Sequence, residues 1–148
     1  MIIWFTGQPG SGKTTLAKEI MLSGPICQWF HIDGDDIRDL FDNKDYSEQG
    51  RRKNIELAQQ IAQYLESKGK KVVVSLVSPY KDQREKFKQK MGNKLIEVYV
   101  HTAEKRGRED FFVEGYEPPT ENFIDVSTNN IPVEVCSQLI LEYAKNTR

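Results

Sequence analysis

The segment Gly7-Gln8-Pro9-Gly10-Ser11-Gly12-Lys13-Thr14 limits the folds open to this chain more than any other stretch. It follows the apolar run Ile2-Ile3-Trp4-Phe5 and precedes Thr15-Leu16-Ala17-Lys18-Glu19-Ile20-Met21, which reads as a helix. Strand, glycine-rich loop and helix, with Lys-Thr closing the loop, make the pattern G-x-x-x-x-G-K-[ST] in the setting it requires. Gly7, Gly10, Ser11 and Gly12 are small enough for backbone N–H groups to wrap phosphate oxygens, and the helix N-terminus adds partial positive charge. Lys13 can reach the β- and γ-phosphates, the Thr14 hydroxyl can ligate Mg²⁺, and Thr15 stands in the same first turn. A nucleoside triphosphate with Mg²⁺ is therefore the first expected ligand. Lys13 is read as a solvated loop side chain.

Apolar strand runs alternate with helical patterns along the rest of the chain, the signature of a parallel α/β sheet. Strands are expected at 1–6, 26–32, 70–77, 94–101 and 123–127, and helices at 13–22, 35–42, 47–67, 80–91 and 132–146. This gives a three-layer P-loop kinase fold: a parallel five-strand sheet with helices on both faces. Ser47 is placed to cap the long helix, with Glu48 in its first turn. The 148 residues suit a single domain, 1–148, in which 103–122 stands out. That segment is charged, carries Gly107, Gly115 and Pro118-Pro119, shows no period, and reads as a mobile lid or loop.

Lys+Arg 21 against Asp+Glu 22 leave a net charge of −1, which argues against a nucleic-acid or membrane partner. Cys27 and Cys136 lie far apart and form no metal spacing. With no charged leader before the first strand, a reducing, cytoplasmic setting is expected. The oligomeric state is left open, a homodimer included.

A phosphate loop alone does not separate kinases from other nucleotide hydrolases. His31-Ile32-Asp33-Gly34-Asp35-Asp36-Ile37-Arg38 ends the second strand and starts a helix. In an open parallel sheet, ligands bind beyond the carboxyl ends of strands, so Asp33 and Asp35 should lie near the phosphates. Asp35 and Arg38, at i and i+3, can share a helical face. The carboxylate can accept a proton from a hydroxyl nucleophile, and the guanidinium can hold an anionic group. Asp33 reads almost as well as a helix cap. Further on, the apolar phase Ile55, Ala58, Ile61, Ala62, Leu65 extends backwards to Arg51 and Asn54. Those two should point inward, and Arg52 and Lys53 to solvent. Ser78, before Pro79 at the end of the third strand, is read as exposed at the same sheet edge.

Taken together, GQPGSGKTT, IDGDDIR, YSEQGRRKNI, VSLVSPYKDQR and LIEVYVHT resemble the adenylylsulfate kinase family in order and spacing over residues 1–102. The resemblance implies an ATP- and Mg²⁺-dependent phosphotransferase acting on the ribose 3′-hydroxyl of adenosine 5′-phosphosulfate, with Thr14 and Asp35 as metal ligands. It implies that Asp35 lies near that hydroxyl and that Asp33, Arg38, Arg51 and Asn54 bind substrate. Tyr46 matches an aromatic that stacks on the substrate adenine. Ser78 matches a serine designated a phosphoserine intermediate in bacterial members, whereas the residues themselves favour direct in-line transfer. After Thr102 the pattern departs. A shortened stretch, Glu104-Lys105-Arg106-Gly107-Arg108-Glu109-Asp110-Phe111-Phe112, replaces the family's lid, and Tyr116-Glu117-Pro118-Pro119 resembles its Tyr-Glu-x-Pro. Arg106 and Arg108 are left as candidate lid cations, Arg106 toward ATP. Two alternatives stay open: a sister kinase with a different small anionic nucleotide as acceptor, and a catalytically weak nucleotide-binding regulator.

Overall fold

A computed structural model describes residues 1–24 and 28–146. The expected strand start at 26 and Cys27 lie outside the described residues. Five strands form one wholly parallel sheet: β1 Ile2–Thr6, β2 Trp29–Asp33, β3 Lys71–Ser75, β4 Leu95–His101 and β5 Ile124–Ser127, in the order β2-β3-β1-β4-β5. The helices are α1 Lys13–Leu22, α2 Gly34–Leu40, α3 Glu48–Ser67, α4 Lys81–Met91 and α5 Val133–Asn146. β3 stops at Ser75, two residues before the expected end, and α2 starts and stops earlier than 35–42. Two short 3₁₀ turns, Gly92–Lys94 and Glu109–Phe111, have no counterpart in the sequence reading. Among the described residues no helix is long and apolar enough to cross a membrane.

Period-two alternation on β1 builds both cores. Ile3 and Phe5 face α1 and α5, packing with Leu16, Ile20, Val98, Val100 and Ile140. Ile2 and Trp4 face the other way, against Ile37, Ile55, Ala58, Ala62 and Phe87 of α2, α3 and α4. A strand covered on both faces must be apolar throughout, and all five residues of β1 are buried. Removing so central a ring, as in Phe5→Ala, would cost about 3–5 kcal/mol.

From the central strand β1 the chain forms β2 and β3 on one side and then crosses to β4 and β5 on the other. The crevice beyond the carboxyl end of β1 is therefore the topological switch point, where ligands sit in open α/β sheets.

Candidate active site

The loop after β1 occupies that crevice. Gly7 is pressed against β4: a Cβ there would lie 2.2 Å from the Val100 carbonyl oxygen. Gly12, the residue before α1, has φ +109°, a conformation side chains resist. Lys13 is not the solvated side chain expected from sequence. It is 7% exposed, and its Nζ donates to Gly7 O (2.8 Å), Gln8 O (2.9 Å) and Ser11 Oγ (3.4 Å). The loop curls round its own lysine. Burial lowers the Lys13 pKa to about 8, opposed by nearby Asp33 and assisted by Arg108.

A cleft of about 990 Å³ runs from this loop across the ends of β2 and β3. Of the residues expected at the site, Gly10, Gly12, Lys13, Thr14, Thr15, Asp33, Asp35, Arg38, Tyr46, Arg51, Asn54, Ser78 and Arg106 all line it. Gly7 and Ser11 sit just behind the wall, Ser11 buried. Five basic side chains (Lys13, Arg38, Arg51, Arg106, Arg108) face three acidic ones (Asp33, Asp35, Asp110) around the cleft. A chain of net charge −1 thus presents a locally positive site, suited to a polyanion.

The two aspartates divide their work. Asp33 caps α2, its Oδ1 accepting from the Asp35 N–H at 3.0 Å, which realises the cap reading. Asp35 is exposed to the cleft, and its carboxylate has no hydrogen bond or ion pair among the described residues. Arg38 braces the turn after α2: its NH1 donates to Asn43 O (3.1 Å) and Asp45 O (3.0 Å), and its guanidinium lies 4.0 Å from the centre of the Tyr46 ring. On α3, capped by Ser47 through Gly50 N–H, the helical phase falls as expected. Arg51 is half-buried on the cleft wall with no protein partner among the described residues. Asn54 donates to Gly34 O (3.2 Å), leaving its buried Oδ1 without a partner. A half-buried unpaired guanidinium beside an unsatisfied amide oxygen is costly unless a ligand supplies the missing groups. Arg52 turns away, but not into bare solvent. It forks onto Asp82 (3.1 Å), pairs with Glu48 (3.0 Å) and stacks over Tyr80.

Ser78 corrects the sequence reading. It is 2% exposed, not left exposed at the edge, because the Trp4 indole N–H donates to its Oγ at 3.3 Å. Among the described residues none supplies a base to that hydroxyl. Its φ of +48° is left-handed, a strain of order 1–3 kcal/mol that persists only where neighbours enforce it. Three residues earlier, at the end of β3, Ser75 Oγ lies 2.6 Å from His31 Nε2, and burial holds that imidazole below its usual pKa.

The segment 103–122 is tied to the loop it overhangs. Arg106 donates to Gly10 O, Ser11 O and Thr128 O. The Gln8 amide pairs both ways with the Val113 backbone (2.8 and 3.0 Å). The Tyr116 hydroxyl meets Thr6 Oγ1 at 2.8 Å, and burial pushes its pKa up to about 12. Between these ties, Phe111 (65% exposed) and Phe112 (50%) line the cleft mouth. Neither was singled out from sequence as a lining residue. The only available signal was two adjacent aromatics in an otherwise charged, irregular segment.

Thr14 and Asp35 both line the cleft and offer hard oxygen donors, and Mg²⁺ takes only one or two protein ligands when phosphates supply the rest. The donor set fits that ion.

The adenylylsulphate kinase family profile matches residues 1–111 and so ends inside the overhanging segment. An adenylyl-sulfate kinase of Acaryochloris marina is 30% identical over 164 aligned positions, which take in 96% of this chain and 80% of that protein. An APS kinase of Mycobacterium tuberculosis, solved in complex with AMPPNP and APS, superposes with a TM-score of 0.79 at 22% identity, over 97% of this chain and 96% of that one. A sugar kinase from Janibacter sp. superposes with a TM-score of 0.71 at 12% identity, over 97% and 94% of the two chains.

Proposed function

The chain belongs to the adenylylsulphate kinase family, and from that premise we propose that it transfers the γ-phosphoryl group of ATP to the ribose 3′-hydroxyl of adenosine 5′-phosphosulfate. The products are 3′-phosphoadenosine 5′-phosphosulfate and ADP. That it is a kinase, a phosphotransferase acting on a hydroxyl group, follows from the family. The observation that carries the finer reading is a single cleft lined both by the phosphate loop and by Asp35, Arg38, Tyr46, Arg51 and Asn54.

In this reading the loop N–H groups and Lys13 hold the β- and γ-phosphates. Lys13 exchanges its carbonyl partners for phosphate oxygens. Arg51 and Arg38 take the anionic phosphosulfate, and Asn54 turns its unpaired Oδ1 toward the acceptor. The Tyr46 ring, already backed by Arg38, offers its free face to the adenine. The ribose 3′-oxygen attacks the γ-phosphorus in line. The bond from that phosphorus to the β,γ-bridging oxygen breaks, ADP leaves, and Asp35 accepts the hydroxyl proton. Arg106 and Arg108 bring positive charge to the transferring group. Mg²⁺ would be held by Thr14 and Asp35 and would neutralise phosphate charge. Ser78 serves as wall rather than nucleophile, because its hydroxyl is buried and lacks a base.

Asp35→Asn keeps the shape and removes both the base and the charge of one proposed Mg²⁺ ligand. We expect kcat to fall about 10²–10⁴-fold with ATP affinity kept within a few-fold. An unchanged kcat would remove Asp35 from the chemistry. A second reading, a sister kinase for another small anionic nucleotide, is favoured by the family profile ending at residue 111, where cover over the acceptor would begin.

A further inference from the structure

Behind the cleft wall lies a charged cluster that lines no part of the cleft. Arg84 of α4 and Glu97 of β4 are both fully buried, with Nε and Oε2 3.0 Å apart. The other two nitrogens of Arg84 go to backbone carbonyls on different segments: NH1 to Ser78 O (2.6 Å) and NH2 to Glu117 O. Its guanidinium also lies over the Tyr116 ring. The second oxygen of Glu97 holds Lys88 (2.9 Å), which donates in turn to Glu121 O (2.7 Å).

Three pieces of the cleft wall converge here. Thr6 Oγ1 contacts Val77 O, Ser78 O and the Tyr116 hydroxyl, and Gly7 N donates to Val77 O. The backbone of Glu117 reaches Pro79 O. Arg84 is thus the fork that ties the strained Ser78–Pro79 turn to the root of the overhanging segment, and Glu97 is the buried carboxylate that pairs with the fork and holds its orientation. A paired ion this deep is weak evidence for a gain in stability, since apolar replacements of such pairs are often neutral. Its geometry, two carbonyls held by one planar group, is evidence for setting a distance.

We propose that Arg84 and Glu97 are positioning residues that fix the acceptor side of the cleft by locking the Ser78 turn to the 116–121 segment. The proposal rests on the kinase reading for its kinetic consequence and on geometry alone for its structural one. The test is the double variant Arg84→Met/Glu97→Leu, with Arg84→Lys as the variant that keeps the charge and loses the fork. Measured on each are amide hydrogen exchange at residues 113–121, KM for ATP, and KM and kcat with adenylylsulfate. We expect faster exchange at 113–121 in both variants, acceptor KM raised about ten- to a hundredfold as for a small remote misplacement, and ATP KM within about twofold because neither side chain bonds to the phosphate loop. If the double variant does not fold, Arg84→Lys decides alone. Unchanged exchange and unchanged acceptor KM in a folded variant would overturn the proposal. Faster exchange in a protein whose wild type phosphorylates no acceptor would leave the lock standing and remove the kinase reading instead.

Discussion

Lys13 carries its charge at a cost in the ligand-free protein. A pKa of about 8 against 10.5 means that burial disfavours the ammonium by about 3 kcal/mol. Because the folded-state value is depressed, this penalty is present in full below pH 8 and is released as pH rises through 8 toward 10.5. Phosphate oxygens reverse it, since an anion beside Lys13 favours the charged form. Binding of ATP should therefore take up protons above pH 8: roughly one at pH 9.5 and close to none from Lys13 at pH 7. Calorimetry in buffers of different ionisation enthalpy measures this directly, and no uptake at pH 9.5 would contradict the placement of Lys13 against phosphate. The identity of this lysine was legible from the motif. Its burial was not, because the loop that wraps it has no apolar period to betray an inside. Ser78 was misjudged for a related reason. Its burial depends on the indole of Trp4, 74 residues away, and no local pattern records that contact.

At the level of elements, α3 shows what periodicity can and cannot deliver. Ile55, Ala58 and Ala62 are buried, and the same phase carried back one turn puts Arg51 and Asn54 on the cleft and Arg52 on the outer side. Arg51→Ala should weaken acceptor binding about tenfold or more, as for loss of a charge-assisted bond of roughly 1.5–3 kcal/mol, with little change in ATP affinity. Arg52→Ala should change acceptor binding less than about twofold, because exposed ion pairs contribute little. Equal losses in the two variants, measured by equilibrium binding, would refute the phase assignment. Boundaries followed local chemistry where a cap existed, as at Ser47, and failed where a turn was set by distant partners. β3 ends at Ser75 because the chain then bends to give Val77 O to Gly7 N and Thr6 Oγ1. The ties of segment 103–122 were hidden for the same reason. Gln8 occupies a free position of the loop motif, and nothing marks its amide as the partner of Val113.

The whole molecule is a platform on which the phosphate donor is more firmly specified than the acceptor. Alternating strands and helices announced the three-layer parallel sheet, and the topological switch at β1 dictates that donor and acceptor meet beyond its carboxyl end. The same fold serves a sugar kinase at a TM-score of 0.71, so architecture alone does not choose the hydroxyl. In the proposed reading that choice falls to Arg38, Arg51 and Asn54 of the cleft lining and to a segment in which the family profile stops at residue 111. The measurement that bears most directly on the central claim is phosphoryl transfer from γ-labelled ATP to a side-by-side panel of adenylylsulfate, plain adenosine nucleotides and pyrimidine nucleotides, with the labelled position in the product identified. The account predicts label on the ribose 3′-oxygen of adenylylsulfate and a kcat/KM for it at least about tenfold above any other acceptor, the selectivity that one well-placed charged contact confers. Label carried tenfold more efficiently to another nucleotide, or released only as inorganic phosphate, would contradict it.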